Sequence, residues 1–150
     1  IGGIEKEDVT GNVNYDPENH HFMVKTRALK VQNIANELPP TDVFGDKSGD
    51  LLILSWGGTQ GACRSATEAL VNDGKKVSHI HLRWINPLPN DLGELLIKFK
   101  HVLVPEINLG QLIKIIRAEY LIDAIGLNKV KGKPISSAEI QEKVKKILEK

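Results

Sequence analysis

The sequence predicts an open α/β fold. Apolar runs typical of buried strands alternate along the chain with segments of helical periodicity, and this alternation is typical of a sheet with right-handed crossovers. The clearest unit is residues 51–66, where an apolar run at 51–56 passes directly into a turn with three glycines and then into a helix that begins near Gly61. An apolar run without alternation is typical of a parallel strand covered on both faces.

At 150 residues the chain is long enough for one domain with a substantial core. We expect residues 1–50 to be a linker and one long amphipathic helix, and residues 51–150 to be the α/β domain. Because the chain begins Ile1-Gly2-Gly3 without Met, we also expect it to be a fragment of a longer protein.

The helix before the sheet has a clear start and a clear end. Asp16 is a suitable cap and Pro17 suits the first helical position. Apolar side chains then recur every three or four residues until Pro39-Pro40 stops the helix, which predicts a length of about 30 Å. Residues 39–50 follow as a linker.

The later elements are predicted from periodicity and caps. Residues 76–84 alternate, so that Ile80 and Leu82 lie on one face of a strand while His79, His81 and Arg83 lie on the other. The remaining predictions are a helix at 91–100, a strand at 101–107, a helix at 109–121, a last strand or extended stretch at 130–134 and a terminal helix opened by a capping box at 136–139.

Composition excludes several classes of protein. The formal net charge of +1 gives no field that favours nucleic acid or an anionic membrane. One cysteine, Cys63, cannot form an internal disulfide or hold an iron–sulfur cluster or a structural zinc. No signal peptide and no apolar stretch of spanning length is apparent, so we expect a cytoplasmic location.

The glycine turn is the first candidate ligand site. Its residues are Gly57, Gly58, Thr59, Gln60 and Gly61, and a helix that follows such a turn directs unpaired N–H groups at the crevice above the sheet. Any strand-to-helix turn has the same geometrical need for glycine, so a purely structural role stays open. The turn lacks the spacing of a dinucleotide fingerprint and the Gly-Lys-Ser/Thr of a phosphate loop.

Other candidates lie where later strands end, because ligands gather at the carboxyl ends of strands in open α/β sheets. They are His81, Arg83, Asn86, Glu106, Asn108 and Gly110. We expect Glu106 to pair with His81 or Arg83, more in keeping with a structural ion pair than with an acid/base pair. A strand histidine is commonly structural, and Cys63 is best read as a small buried thiol. No spacing suggests a metal site, and no complete catalytic set is present.

Six segments, in this order and spacing, resemble the C-terminal portion of the alpha subunit of 2-oxoacid:ferredoxin oxidoreductases, in particular the 2-oxoglutarate type. They are GNVNYDPENH (11–20), RALKV (27–31), WGGTQG (56–61), HLRWINPLP (81–89), VPEINLGQL (104–112) and KVKGKP (129–134). Gly58 departs from the related turn, which more often has Ser, so a ligand role for the turn is less secure.

The resemblance implies a three-layer, mostly parallel fold similar to the C-terminal domain of transketolases. Such complexes decarboxylate a 2-oxoacid oxidatively through thiamine diphosphate and Mg²⁺, reduce ferredoxin through iron–sulfur clusters and form an acyl-CoA. The thiamine diphosphate motif is absent here. The resemblance therefore implies a scaffolding and interface domain, itself without a cofactor, that packs on the beta subunit and on upstream alpha-subunit domains. The alternative is a freestanding module that binds a small ligand or phosphate at the glycine turn.

Overall fold

The computed structural model describes residues 4–149, which form two compact units. The first unit contains residues 4–39 and Trp84–Asn90, and the second contains Pro40–Arg83 and residues 91–149. None of the helices in the described range is both long enough and apolar enough to cross a membrane.

The first unit is built around helix α1, Pro17–Asn33, which continues as a 3₁₀ turn over Ile34–Glu37. The side chain of Asp16 accepts a hydrogen bond from the backbone N–H of Glu18, and Pro17 takes the first helical position, so the predicted start is confirmed. Seventeen residues give a helix about 25 Å long, somewhat shorter than predicted. None of its residues is buried.

Glu5 ties the segment before the helix to α1. Its carboxylate accepts hydrogen bonds from both terminal nitrogens of Arg27, at 2.8 and 3.0 Å, and lies 2.9 Å from His20 Nδ1. The Arg27 guanidinium, followed by the Lys6 backbone N–H, lowers the pKa of Glu5 to about 2. This carboxylate is therefore charged at neutral pH.

The second unit is a five-stranded mixed sheet. The strands are β1 (Val43–Phe44), β2 (Gly49–Trp56), β3 (Val77–Leu82), β4 (Phe99–Glu106) and β5 (Ile125–Asn128). Their order is β1-β3-β2-β4-β5, with β1 antiparallel to β3 and every other pair parallel.

Helices cover both faces of this sheet, so the predicted three-layer α/β class is confirmed. They are α2 (Gln60–Asn72), α3 (Leu92–Leu96), α4 (Gln111–Tyr120) and α5 (Ser137–Leu148). The α2 and α5 side holds a core cluster that includes Leu51, Ile53, Leu70 and Ile140. Because side chains alternate along a strand, Leu52 lies on the opposite face, on the α3 and α4 side.

Strand β2 is the most deeply buried part of the chain. Leu51, Leu52, Ile53 and Leu54 have no exposed surface, as expected of a central strand with helices on both faces. Burying each of these side chains stabilises the fold by about 1.5–3 kcal/mol. The prediction of a central parallel strand over residues 51–56 is therefore confirmed.

Three parts of the fold differ from the predictions: one helix end, the place of the last strand, and a short strand that was not predicted. The helix predicted at 91–100 ends at Leu96, and Phe99 and Lys100 open β4, because Phe99 fits the spacing of the helix as well as that of the strand. The last strand is β5, whose Gly126 and Asn128 are poor strand formers and hid it, and residues 130–134, predicted as a last strand or an extended stretch, contain no strand. Strand β1 lies in the predicted linker, where two residues show no periodicity.

Candidate functional site

The glycine turn forms a short 3₁₀ segment, Gly57–Thr59, between β2 and α2. Gly57 has φ of +56°, so the turn needs glycine there for its backbone conformation. A Cβ added at Gly58 or Gly61 would meet no atom within 4 Å, so close packing does not require those glycines. Thr59 is buried, and its hydroxyl donates to the Trp56 carbonyl at 2.8 Å. The turn is therefore exposed except at Thr59, whose side chain is buried.

A buried polar cluster lies on the α2 side of the sheet near this turn. Ser55 of β2 places its Oγ 2.7 Å from Nε2 of His79 and 2.8 Å from Nδ1 of His81, both on β3. The parallel register aligns Ser55 with His81 and Ile53 with His79, so all four side chains share one face. Cys63, buried in α2, belongs to the same face.

Burial sets the protonation of this cluster. It lowers the pKa of His79 to about 4 and lowers the pKa of His81, and the Arg83 charge adds to the effect on His81. Burial also raises the pKa of the Cys63 thiol to about 12, against a smaller opposing effect of the Ser55 and Thr59 hydroxyls. At neutral pH both rings are uncharged and Cys63 is an unreactive thiol.

The alternation predicted for β3 is confirmed, but its polar face is shielded at His79, which is only 4% exposed, while His81 is half-buried and Arg83 is exposed. Ser55, which joins the two histidines, was missed because it lies inside an apolar run. Its position beside two histidines on the next strand was the available signal, but reading it requires the pairing register.

Glu106 occupies a different place from the one predicted. It is fully buried at the end of β4, and its carboxylate accepts hydrogen bonds from the backbone N–H groups of Leu112 (2.8 Å) and Ile113 (3.2 Å) and from Trp56 Nε1 (3.3 Å). The expected pairing with His81 or Arg83 is wrong. Alternation along β4 puts Leu103 on the α2 face and Glu106 on the opposite one.

Asn108 and Gly110 join Glu106 at the start of α4. The Asn108 side chain donates to Glu106 Oε1 at 3.2 Å, and its Oδ1 accepts from the backbone N–H groups of Gly110 and Gln111. Gly110 has φ of +85°, a left-handed conformation that favours glycine. Asn108 and Glu106 thus accept from the otherwise unpaired amides at the start of α4, from Gly110 to Ile113.

Arg83 is exposed just after β3, and within the described residues it has no carboxylate within 4 Å. Asn86 is exposed and belongs to the first unit. Within the second unit, the predicted site residues therefore separate into the open glycine turn with Gln60, the cluster that contains His81, the cap of α4, and the exposed Arg83.

The fold is shared with transketolase-type domains. A split-gene transketolase superposes on 75% of this chain and 43% of its own with a TM-score of 0.56, at 19% identity, which establishes a common fold. No protein-family model matches the chain.

The sequence relationship is more specific. The chain is 40% identical over 141 residues to the 2-oxoglutarate oxidoreductase subunit KorA of Mycobacterium tuberculosis, across 93% of this chain and 21% of that subunit. The structure of the 2-oxoglutarate:ferredoxin oxidoreductase from Magnetococcus marinus, with 2-oxoglutarate, coenzyme A and succinyl-CoA bound, superposes with a TM-score of 0.87 at 33% identity. That match covers 94% of this chain and 25% of the other.

The chain is accordingly homologous to alpha subunits of 2-oxoacid:ferredoxin oxidoreductases, and the resemblance inferred from its motifs is confirmed. It spans about a fifth to a quarter of the length of these relatives.

Proposed function

We propose that this chain is a structural and interface domain of a 2-oxoglutarate:ferredoxin oxidoreductase, corresponding to the C-terminal portion of the alpha subunit. The observation that carries the proposal is the superposition of 94% of the chain, with a TM-score of 0.87, on an oxidoreductase whose structure contains 2-oxoglutarate, coenzyme A and succinyl-CoA. The complete complex oxidatively decarboxylates the 2-oxoacid, forms the acyl-CoA and reduces ferredoxin.

The described residues offer no ligand set for the metal ions and iron–sulfur clusters of that reaction. Among the described residues, no three His, Cys, Asp or Glu side chains lie together in a way that would hold a metal ion. The one thiol, Cys63, is buried and protonated, whereas an iron–sulfur cluster requires several thiolates. We therefore assign thiamine diphosphate, Mg²⁺ and the iron–sulfur clusters to other parts of a cytoplasmic complex.

Helix α1 offers the contact surface that an interface domain requires. Exposed apolar side chains lie along it, with Phe22 50%, Leu29 55% and Val24 46% exposed. Exposed apolar groups in such a density are typical of protein–protein contact sites. We propose that they meet the beta subunit and the upstream alpha-subunit domains, and that residues 1–50 serve as linker and helix beside an α/β domain at 51–150.

A freestanding ligand-binding module is the less favoured function. Every buried side-chain nitrogen and oxygen in the described residues already has a partner, so no buried polar group at the strand ends awaits a ligand. The α4 start is capped by Asn108 and Glu106. Only the open glycine turn, with His81 and Arg83 beyond it, is left as a candidate.

Co-purification tests the proposal. We would express the chain with the remaining alpha-subunit domains and the beta subunit of the same enzyme, and measure capture and 2-oxoglutarate-dependent ferredoxin reduction. Val31→Glu, at an exposed position of α1, should reduce capture at least tenfold, because it introduces a charge into an apolar contact. Lys30→Glu, an exposed polar position on the same helix, is the control for charge alone.

Ligand binding by the chain alone, without capture of the other components, would contradict the proposal. Suppose that the folded chain fails to bind the other components but binds phosphate or coenzyme A with micromolar affinity, and that Gly61→Val abolishes this binding. The chain is then a freestanding ligand-binding module and not an interface domain. Circular dichroism of each variant establishes that α1 and the sheet are intact.

A further inference from the structure

The Ser55 hydroxyl is shared by two rings, and this sharing constrains both. A serine hydroxyl has one proton to donate and two lone pairs with which to accept. The two ring nitrogens that contact it, His79 Nε2 at 2.7 Å and His81 Nδ1 at 2.8 Å, cannot both accept that single proton. At neutral pH, one ring nitrogen must therefore accept the hydroxyl proton and the other must carry a hydrogen and donate it to Oγ.

Two arrangements satisfy this condition. In the first, Ser55 donates to His79 Nε2 and accepts from His81 Nδ1–H, so both rings carry their proton on Nδ1. In the second, Ser55 donates to His81 Nδ1 and accepts from His79 Nε2–H, so both rings carry it on Nε2. Conversion of one arrangement into the other requires each ring to lose the proton from one nitrogen to water and to take up a proton on the other nitrogen while the hydroxyl turns. Because Ser55 has one proton to share, the two rings change tautomer together.

The outer end of this chain is available to another molecule. Nε2 of His81 has no hydrogen-bond partner in the described residues, and none of their buried side-chain nitrogens is unpartnered, so this atom reaches solvent. It is an acceptor in the first arrangement and a donor in the second. At the inner end, His79 is only 4% exposed, and its Nδ1 likewise has no hydrogen-bond partner in the described residues.

We propose that Ser55, His79 and His81 form a hydrogen-bond relay that couples the tautomers of the two rings, so that His81 Nε2 accepts at the surface when His79 carries its proton on Nδ1 and donates when His79 carries it on Nε2. A group that donates to His81, such as an amide N–H or a hydroxyl, selects the first arrangement. A carbonyl or carboxylate selects the second. The relay therefore links the hydrogen-bond direction at this rim to the tautomer of a ring inside the domain, independently of the function proposed above.

Protonation has a defined effect on the relay. A second proton on His81 makes both of its nitrogens donors, so Ser55 must donate to His79 Nε2 and the first arrangement is imposed. The neighbouring groups favour neutral rings: Arg83 acts on His81, Arg64 of α2 acts on His79, and only Asp42 opposes this at His79. Cys63, facing the cluster from α2, keeps its proton. Because His79 is the more buried ring, the added proton goes to His81.

Imidazole tautomers can be read directly by long-range ¹H–¹⁵N NMR correlation on the uniformly ¹⁵N-labelled chain. At pH 7.5 the proposal requires a like-named pair, either Nδ1–H on both rings or Nε2–H on both. A mixed pair would overturn it. On acidification, titration of His81 must leave His79 with its proton on Nδ1, and any other final tautomer of His79 also contradicts the relay.

Variants separate the relay from mere proximity of the two rings. Ser55→Ala should uncouple them, so that the ¹⁵N shifts of His79 no longer follow the titration of His81. Ser55→Thr retains a hydroxyl and should preserve the like-named pair, and Ser65→Ala, an exposed serine of α2, controls for the substitution. Continued coupling in a folded Ser55→Ala chain refutes the proposal. If that variant does not fold, the wild-type tautomers decide.

Discussion

Glu106 shows how a single buried carboxylate can organise a strand end. Its oxygens accept from two backbone N–H groups at the start of α4 and from the Trp56 indole, and the residue has no exposed surface. Glu106→Gln replaces one acceptor oxygen by an NH₂ group that faces donors. We expect a loss of about 1–3 kcal/mol in the free energy of unfolding, measured by urea denaturation. Glu94→Gln, at an exposed position in α3, should change it by less than about 0.5 kcal/mol.

Protonation of His79 makes the free energy of unfolding depend on pH in a range above that in which Glu5 and Glu139 contribute to the dependence. Its pKa falls from 6.5 to about 4 on folding, so between these values the unfolded chain binds more protons, and stability is complete above pH 6.5 and is lost as pH falls towards 4. The shift corresponds to about 3 kcal/mol. Glu5 and Glu139, with pKa values of about 2, lose their contribution only below about pH 4.5.

Replacement of His79 by Gln should flatten this dependence. Urea midpoints at pH 7.5 and pH 5 should differ less in the variant than in the wild-type chain, although His81 retains a smaller dependence in the same direction. His101→Gln, at a partly exposed histidine elsewhere on the sheet, is the matched control. An unchanged difference between the two midpoints would show that His79 is protonated equally in the folded and unfolded chains.

At the scale of elements, helix α5 depends on a reciprocal cap. Ser136 Oγ accepts from the Glu139 backbone N–H, and Glu139 accepts in return from the Ser136 backbone N–H at 2.8 Å. Ser136→Ala should lower the free energy of unfolding by about 1 kcal/mol. Ser137→Ala, one residue further and outside the cap, should have a smaller effect in the same thermal or urea experiment. Equal effects would argue that the cap is not the source of the stability.

Local signals explain which elements the sequence could predict. The cap of α5 and the Asp16-Pro17 start of α1 are short patterns whose residues interact with their near neighbours in the sequence, and both are confirmed. Strand β5 and the Ser55 cluster depend instead on pairing between distant segments. Glu106 illustrates the same limit, since its position at a strand end was predicted while its partners were not. A single sequence contains the residues of such contacts but not their register.

At the scale of the molecule, the chain combines a deeply buried sheet with a helix that buries none of its residues. Amides of β2 should exchange with deuterium only on global unfolding, whereas those of α1 should exchange through local opening with a smaller free energy. Under the proposed function, addition of the beta subunit and the upstream alpha-subunit domains should slow exchange in α1 at least tenfold and leave β2 unchanged. Hydrogen exchange followed by mass spectrometry measures both regions in one experiment. Protection that increases at the glycine turn while α1 is unaffected would place the contact on the strand ends and contradict the role given to the helix.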